Sequence, residues 1–171
     1  MIRMRYSILF LIALTYLALS GCSAGVSFDD NRNERLSMKR IINAHPSLAN
    51  ANINTTSFQG NLLITGQVSS KELIAIASNE VKKLRNVKKT YNQLAVLGET
   101  SLLSKTNDVL INNRVKSELR KLDNFDHEKI KIVTEYGVVY VMGKLNAQES
   151  RAVLKVAKSA RGAQNVISLN N

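Results

Sequence analysis

The sequence predicts an α+β protein made of two tandem α-β-β-α-β units, each a three-stranded mixed sheet covered by two helices, behind an N-terminal export segment. Three observations carry this. Glycines, apolar positions and helix-cap residues recur at an offset of 77 residues, as from Gly60 to Gly137. The hydrophobic period switches between 3.6 and 2 in the same order in both copies. An apolar run near the start ends at the chain's only cysteine.

The export segment comes first. Arg3 and Arg5 precede an apolar stretch from Ile8 to Leu19, interrupted only by Thr15. That is too short to span a bilayer and suits a signal-peptide core. It ends in Leu19-Ser20-Gly21-Cys22, which resembles the lipobox of bacterial lipoproteins. The resemblance implies a lipoprotein signal peptide over 1–21 and a mature chain that begins at a lipid-modified Cys22. Acyl chains anchor by hydrocarbon burial, at about 0.8 kcal/mol per CH₂. Ser23 stands where an inner-membrane retention signal carries Asp, so the sorting rule of enteric bacteria implies the outer membrane, facing the periplasm.

The repeat is read by aligning Phe58 to Val68 with Glu135 to Leu145. Gly60 and Gly137, Leu62 and Val139, Ile64 and Val141, Gly66 and Gly143, and Val68 and Leu145 then coincide. In copy one a first helix carries Met38, Ile41, Ile42 and His45 and stops at Pro46; in copy two it carries Ile111, Val115, Leu119 and Leu122. A strand follows around Ile53 to Ser57, or Ile130 to Thr134. The chain turns at Gly60 or Gly137, which supply positive φ, and returns through Leu62 to Val68, or Val138 to Leu145, as a hairpin. Gly66 and Gly143 are expected to be structural turn positions too, and to admit a helix against the strand. Ser69-x-x-Glu72 and Asn146-x-x-Glu149 read as capping boxes opening the second helix. That helix carries Leu73, Ala77, Val81 and Leu84, or Ala152, Val156, Ala157 and Ala160. A last strand covers Val87 to Val96, or Ala163 to Leu169. Period 2 places Leu62, Ile64 and Val68 on one face beneath both helices; the other face is left to solvent or to the sibling copy.

The unit order, the aromatic-x-Gly hairpin, the second strand ending in Gly and the capped second helix resemble the BON domain. That family's motif near the last strand is matched by Asn86-Val87, Thr90, Asn92 and Leu94, and more loosely by Gly162-Ala163, Val166 and Ser168. Two such domains behind a lipobox are similar to the dual-BON outer-membrane lipoproteins. The expected organisation is a lipidated tether over 22–32, a first domain over 33–97, a linker over 98–105 and a second domain over 106–171.

Composition limits the function. The net charge is +11, with one Cys, two His and no Trp. One Cys excludes an internal disulfide, and so few His and Cys supply no metal cluster. No nucleophile motif such as Gly-x-Ser-x-Gly is present, so no enzyme, cofactor or metal is expected. An exported chain does not meet genomic DNA, so the charge points to anionic phospholipids rather than nucleic acid. The first helix of copy two offers Leu110, Ile111 and Arg114 as a lipid-binding face, an apolar tip one turn from a cation. The resemblance places lipid binding there too. A basic run, Lys82, Lys83, Arg85, Lys88 and Lys89, closes the second helix of copy one. The expected function is a non-enzymatic anchored lipoprotein that binds anionic phospholipid and supports outer-membrane integrity. The alternative is a periplasmic protein-interaction or chaperone-like stress protein that contacts envelope proteins, with Asn50, Asn52 and Asn54 beside the first strand of copy one in a protein-facing or merely packing role.

Changing Cys22 to Ser leaves an unprocessed or soluble species in membrane fractionation. Retention of Cys22→Ser with the outer membrane in high salt contradicts lipid anchoring.

Overall fold

A computed structural model describes residues 24–97 and 102–170. The export segment, Cys22 and residues 98–101 of the expected linker lie outside the described residues. Copy one runs α1 (Ala24–Ala44), α2 (Pro46–Ala49), β1 (Asn52–Phe58), β2 (Asn61–Val68), α3 (Lys71–Lys82) and β3 (Lys89–Val96). Copy two runs α4 (Leu102–Leu119), a 3₁₀ turn (His127–Lys129), β4 (Ile130–Glu135), β5 (Val138–Gly143), α5 (Ala147–Ser159) and β6 (Asn165–Asn170). In each sheet the middle strand pairs antiparallel with its hairpin partner and parallel with the last strand, giving the orders β1-β2-β3 and β4-β5-β6.

Each copy has its own core. Leu62, Ile64 and Val68 meet Ile41, Leu48, Leu73, Ala77 and Val81 in copy one. Val139 and Val141 meet Ile111, Val115, Leu119, Val153 and Ala157 in copy two. Burying each Leu, Ile or Val contributes about 1.5–3 kcal/mol. The stripe of α5 is Val153, Ala157 and Ala160, with Ala152 and Val156 half-buried.

The other face of each sheet is taken by the sibling copy. Leu63, Tyr140, Met142 and Leu169 form a third buried cluster, flanked by Phe58, Tyr91, Val133 and Ile167. All eight residues of β2 are therefore buried, and the inner and outer side chains alternate along it.

Three local features differ from the sequence reading. The first helix begins at Ala24, well before residue 33, and the second copy's first helix starts at Leu102, inside the expected linker. Its inward positions in copy one are polar, Asp30, Asn33 and Ser37 ahead of Ile41, so no apolar period announces it. Ile42 points outward and is 37% exposed. In copy one the N-cap is Ser70 rather than Ser69, accepting from the Leu73 N–H; only Asn146 and Glu149 complete a reciprocal capping box. Gly66 and Gly143 are strand residues opposite Ile53 and Ile130, not turns, and what lies nearest to each is a backbone carbonyl rather than a packed α-helix. A Cβ on Gly66 would lie 1.9 Å from the Asn52 carbonyl oxygen, and one on Gly143 2.3 Å from that of Lys129. Gly66 and Gly143 themselves stand at φ +122° and +152°, and with backbone this close only glycine fits there.

Gly66→Ala is therefore expected to destabilise by more than about 2 kcal/mol, because backbone must move. Gly60→Ala at φ +84° meets only the flexible Lys88 side chain and costs about 1–2 kcal/mol. Urea denaturation of the two variants measures the difference.

Candidate functional site

The site is built from the hairpin tips. Each hairpin turns in two residues, Gln59-Gly60 and Tyr136-Gly137, all four with positive φ. This is the type I′ geometry, which matches the twist of the flanking strands. Gln and Tyr adopt φ +54° and +52° at some cost. A buried aspartate from the first helix offsets it. The Asp30 carboxylate accepts from the N–H groups of Gln59 (2.7 Å) and Gly60 (2.9 Å) and from the Ser57 hydroxyl (2.7 Å). The Asp108 carboxylate accepts from the N–H groups of Tyr136 (2.8 Å) and Gly137 (2.7 Å). On the other side, the carbonyl oxygens of Gly60 and Gly137 accept from the N–H groups of Lys88 and Gln164, each at 2.8 Å. The tip thus joins the helix, the hairpin and the entry to the last strand.

This clamp fixes the rotation of α4. Asp108, Ile111, Val115 and Leu119 face inward and are buried. Ile111 is 0% exposed and belongs to the core, so the expected lipid-binding role does not fit it: the turn of helix that points Asp108 at the hairpin buries Ile111 as well. Leu110 is 46% exposed, and Leu103, one heptad earlier on the same face, is 80% exposed. Val109 is 59% exposed, and Tyr136 at the clamped turn is 47% exposed. Leu103 and Tyr136 line one open groove with Ser104, Asn107 and Gln164. Arg114 is exposed, and its guanidinium donates to the Arg161 carbonyl oxygen at 2.9 Å. The structure thus keeps Leu110 and Arg114 on the surface, removes Ile111, and adds Leu103, Val109 and Tyr136. Leu103 was hidden by its place in an expected linker, and Tyr136 by its place in a turn.

The outward face of Glu135, next to the same turn, joins the two copies. Its carboxylate accepts from the side-chain amides of Asn52 (3.2 Å), Asn54 (3.1 Å) and Gln67 (3.2 Å). Tyr140 packs in the adjoining apolar cluster; burial first, then the Glu135 charge, pushes its phenol above the usual range.

Three cations of the basic run in copy one have local partners. Lys83 pairs with Glu80, the Lys88 ammonium donates to the Gln59 carbonyl oxygen, and Lys89 sits 4.8 Å from the Tyr91 ring centre. His45 caps α2, its Nδ1 accepting from the Ser47 N–H, and His127 packs edge-on against Phe125. Among the described residues no group of His, Cys, Asp and Glu could hold a metal, and no helix is long and apolar enough to cross a membrane.

A family model described as "BON domain" matches residues 30–98 and 107–169. The chain is 26% identical over 149 residues to the 21 kDa hemolysin of Actinobacillus pleuropneumoniae, covering 87% of this chain and 77% of that one. It is 25% identical over 121 residues to the outer membrane lipoprotein DolP of Haemophilus influenzae, covering 71% of this chain and 63% of that one. Among solved structures, the C-terminal domain of CdsD, the structural protein of the Type III secretion system of Chlamydia trachomatis, matches at 13% identity over 78% of this chain and 62% of that one, with a TM-score of 0.29.

Tyr140 supplies a pH test of the interface. Its raised pKa means the folded state favours the neutral phenol, so the contribution is full below the ordinary value of 10.0 and is lost as pH rises through the folded value. Stability is expected to fall above pH 10.0, and Tyr140→Phe flattens that alkaline limb in urea titrations at stepped pH.

Proposed function

The chain belongs to the BON-domain family, and from that premise we propose that it is a non-enzymatic, lipid-anchored outer-membrane protein that binds anionic phospholipid through copy two and supports envelope integrity. The anchor is Cys22, and the bound chain faces the periplasm. The name of one relative, an outer membrane lipoprotein, supports the location.

The observation that carries the binding role is the exposed apolar first half of α4. Leu103, Val109 and Leu110 stay exposed along the first half of α4, with exposed Lys105 and Arg114 on the same helix, and Leu103 shares a groove with exposed Tyr136. Large apolar side chains held out by a buried clamp suit an interface where hydrocarbon meets charged head groups. Each nearby cation contributes about 1 kcal/mol at an anionic surface. The runner-up, a protein-docking surface at the asparagines of β1, loses support because Asn52 and Asn54 hydrogen-bond to Glu135 of the sibling copy.

A soluble form lacking residues 1–22 is expected to float with vesicles containing phosphatidylglycerol and not with phosphatidylcholine alone. Leu103→Asp with Leu110→Asp is expected to weaken that binding at least about tenfold with an unchanged circular dichroism spectrum, since each buried Leu is worth about 1.5–3 kcal/mol. No flotation of the parent form in low salt contradicts lipid binding.

A further inference from the structure

We infer that copy two carries a phosphate-binding pocket at the β4 edge of its sheet, built by Lys116 of α4, Arg120 just beyond the end of α4, His127 of the 3₁₀ turn and Lys131 of β4, and that its ligand is a phosphomonoester. The pocket lies near the opposite end of α4 from the exposed apolar half, and it does not depend on the membrane-binding reading.

The geometry comes from the topology. β4 is an edge strand, and α4 runs beside it, fastened by the Asn112 amide donating to the Ile132 carbonyl oxygen at 3.2 Å. Arg120 follows the last residue of α4, its N–H still donating to the Lys116 carbonyl oxygen at 3.2 Å, so the two residues lie one turn apart. With Lys131 and His127 they surround a cavity of about 250 Å³, floored by Leu119, Ile130 and Ile132. Leu119 and Ile132 are 2% and 5% exposed, so the floor is a fixed part of the core.

The charges in this cavity are uncompensated. No carboxylate lines it. Of the nearby acids, Glu118 pairs with Lys121 and Glu149 with Lys129, while Asp126 and Glu128 flank His127 in the 3₁₀ turn without lining the cavity. Among the described residues Lys116, Arg120 and Lys131 form no ion pair. Burial, then Lys131, then Arg120 hold the Lys116 ammonium below its usual range, so the cluster is electrostatically unfavourable while empty of counter-charge. Elsewhere the chain places a glutamate among its cations, as Glu80 does between Arg40 and Lys83.

A phosphomonoester fits best. It carries about −1.5 to −2 charge at pH 7 and presents three strong acceptor oxygens to several donors. A phosphodiester brings one charge and two such oxygens. The volume, that of about eight waters, holds a phosphate and a few carbons against the apolar floor, and is too small for an acyl chain. The phosphate could sit on a soluble metabolite or on a lipid head group, and the chemistry of recognition is the same.

The test is calorimetry on the full chain in a neutral detergent, with glycerol 3-phosphate, dimethyl phosphate and dihexanoylphosphatidic acid as probes. Saturable binding of glycerol 3-phosphate is expected, with dimethyl phosphate weaker by at least about tenfold. Lys116→Gln with Lys131→Gln is expected to lose at least about tenfold, while Lys116→Arg with Lys131→Arg retains binding and Lys71→Gln with Lys155→Gln changes nothing. Dihexanoylphosphatidic acid binding about tenfold or more tightly than glycerol 3-phosphate supports the site with a lipid source; equal affinity supports it with a soluble source. Absence of saturable binding by both monoesters overturns the proposal. So does equal binding of the diester, or unchanged affinity in the Lys-to-Gln variant.

Discussion

The carboxylate of one buried aspartate in each copy, gripping two backbone N–H groups at a hairpin tip, is the contact on which the rest of the arrangement depends. A type I′ turn points its two central N–H groups away from the ladder, and in the sequences Gln59-Gly60 and Tyr136-Gly137 the first residue is held in the left-handed region against its preference. Asp30 and Asp108, 9% and 7% exposed, satisfy those donors with charge-assisted bonds. Loss of such an acceptor leaves buried donors unpaired, at about 1–3 kcal/mol. The same carboxylate sets the rotation and height of the first helix over its sheet, and so decides which helical residues are core and which are surface.

Copy two converts that constraint into a surface. Asp108 turned inward carries Ile111, Val115 and Leu119 into the core and leaves Leu103, Leu110 and Arg114 outside. Copy one uses the same clamp with a polar inner stripe, Asp30, Asn33 and Ser37, in which the Asn33 amide donates to the Asn86 carbonyl oxygen and the neighbouring Glu34 carboxylate accepts the Ser57 N–H. Its helix is thereby tied to β1 and to the loop before β3 by hydrogen bonds as well as by the apolar packing of Ile41. Glu135, one residue before the clamped turn, fastens the copies through Asn52, Asn54 and Gln67, so a single tip of copy two holds the fold, the sibling domain and the exposed Tyr136.

The two-copy α-β-β-α-β architecture was legible in the sequence because glycines and apolar positions recur in register. The hairpin glycines Gly60 and Gly137 were legible for the same reason. The start of α1 was not, because its inward face is polar and hydrophobic periodicity has nothing to detect. The clamp left a trace: an aspartate stands 30 residues before Gly60 and another 29 before Gly137. The one-residue difference put Asp30 and Asp108 out of the 77-residue register. Gly66 and Gly143 were recognised as special, but the close neighbour is backbone, of β1 at Asn52 and of the 3₁₀ turn at Lys129, which no local pattern reveals. At the candidate lipid face, Leu110 and Arg114 were visible by spacing, while Ile111 needed the helix rotation that only Asp108 fixes. The cationic pocket joins residues of three elements, and nothing in the local sequence of any one of them marks it.

The measurement that bears most directly on the clamp is amide hydrogen exchange at Tyr136 and Gly137, compared between the parent and Asp108→Ala, alongside vesicle binding by the same samples. Faster exchange at those two amides, continued protection of Val139 and Val141, and weaker binding to anionic vesicles are the expected results, because the tip loosens while the strand stays paired. Unchanged exchange at Tyr136 and Gly137 in Asp108→Ala would contradict the clamp, and faster exchange with undiminished vesicle binding would separate it from the lipid-facing tip.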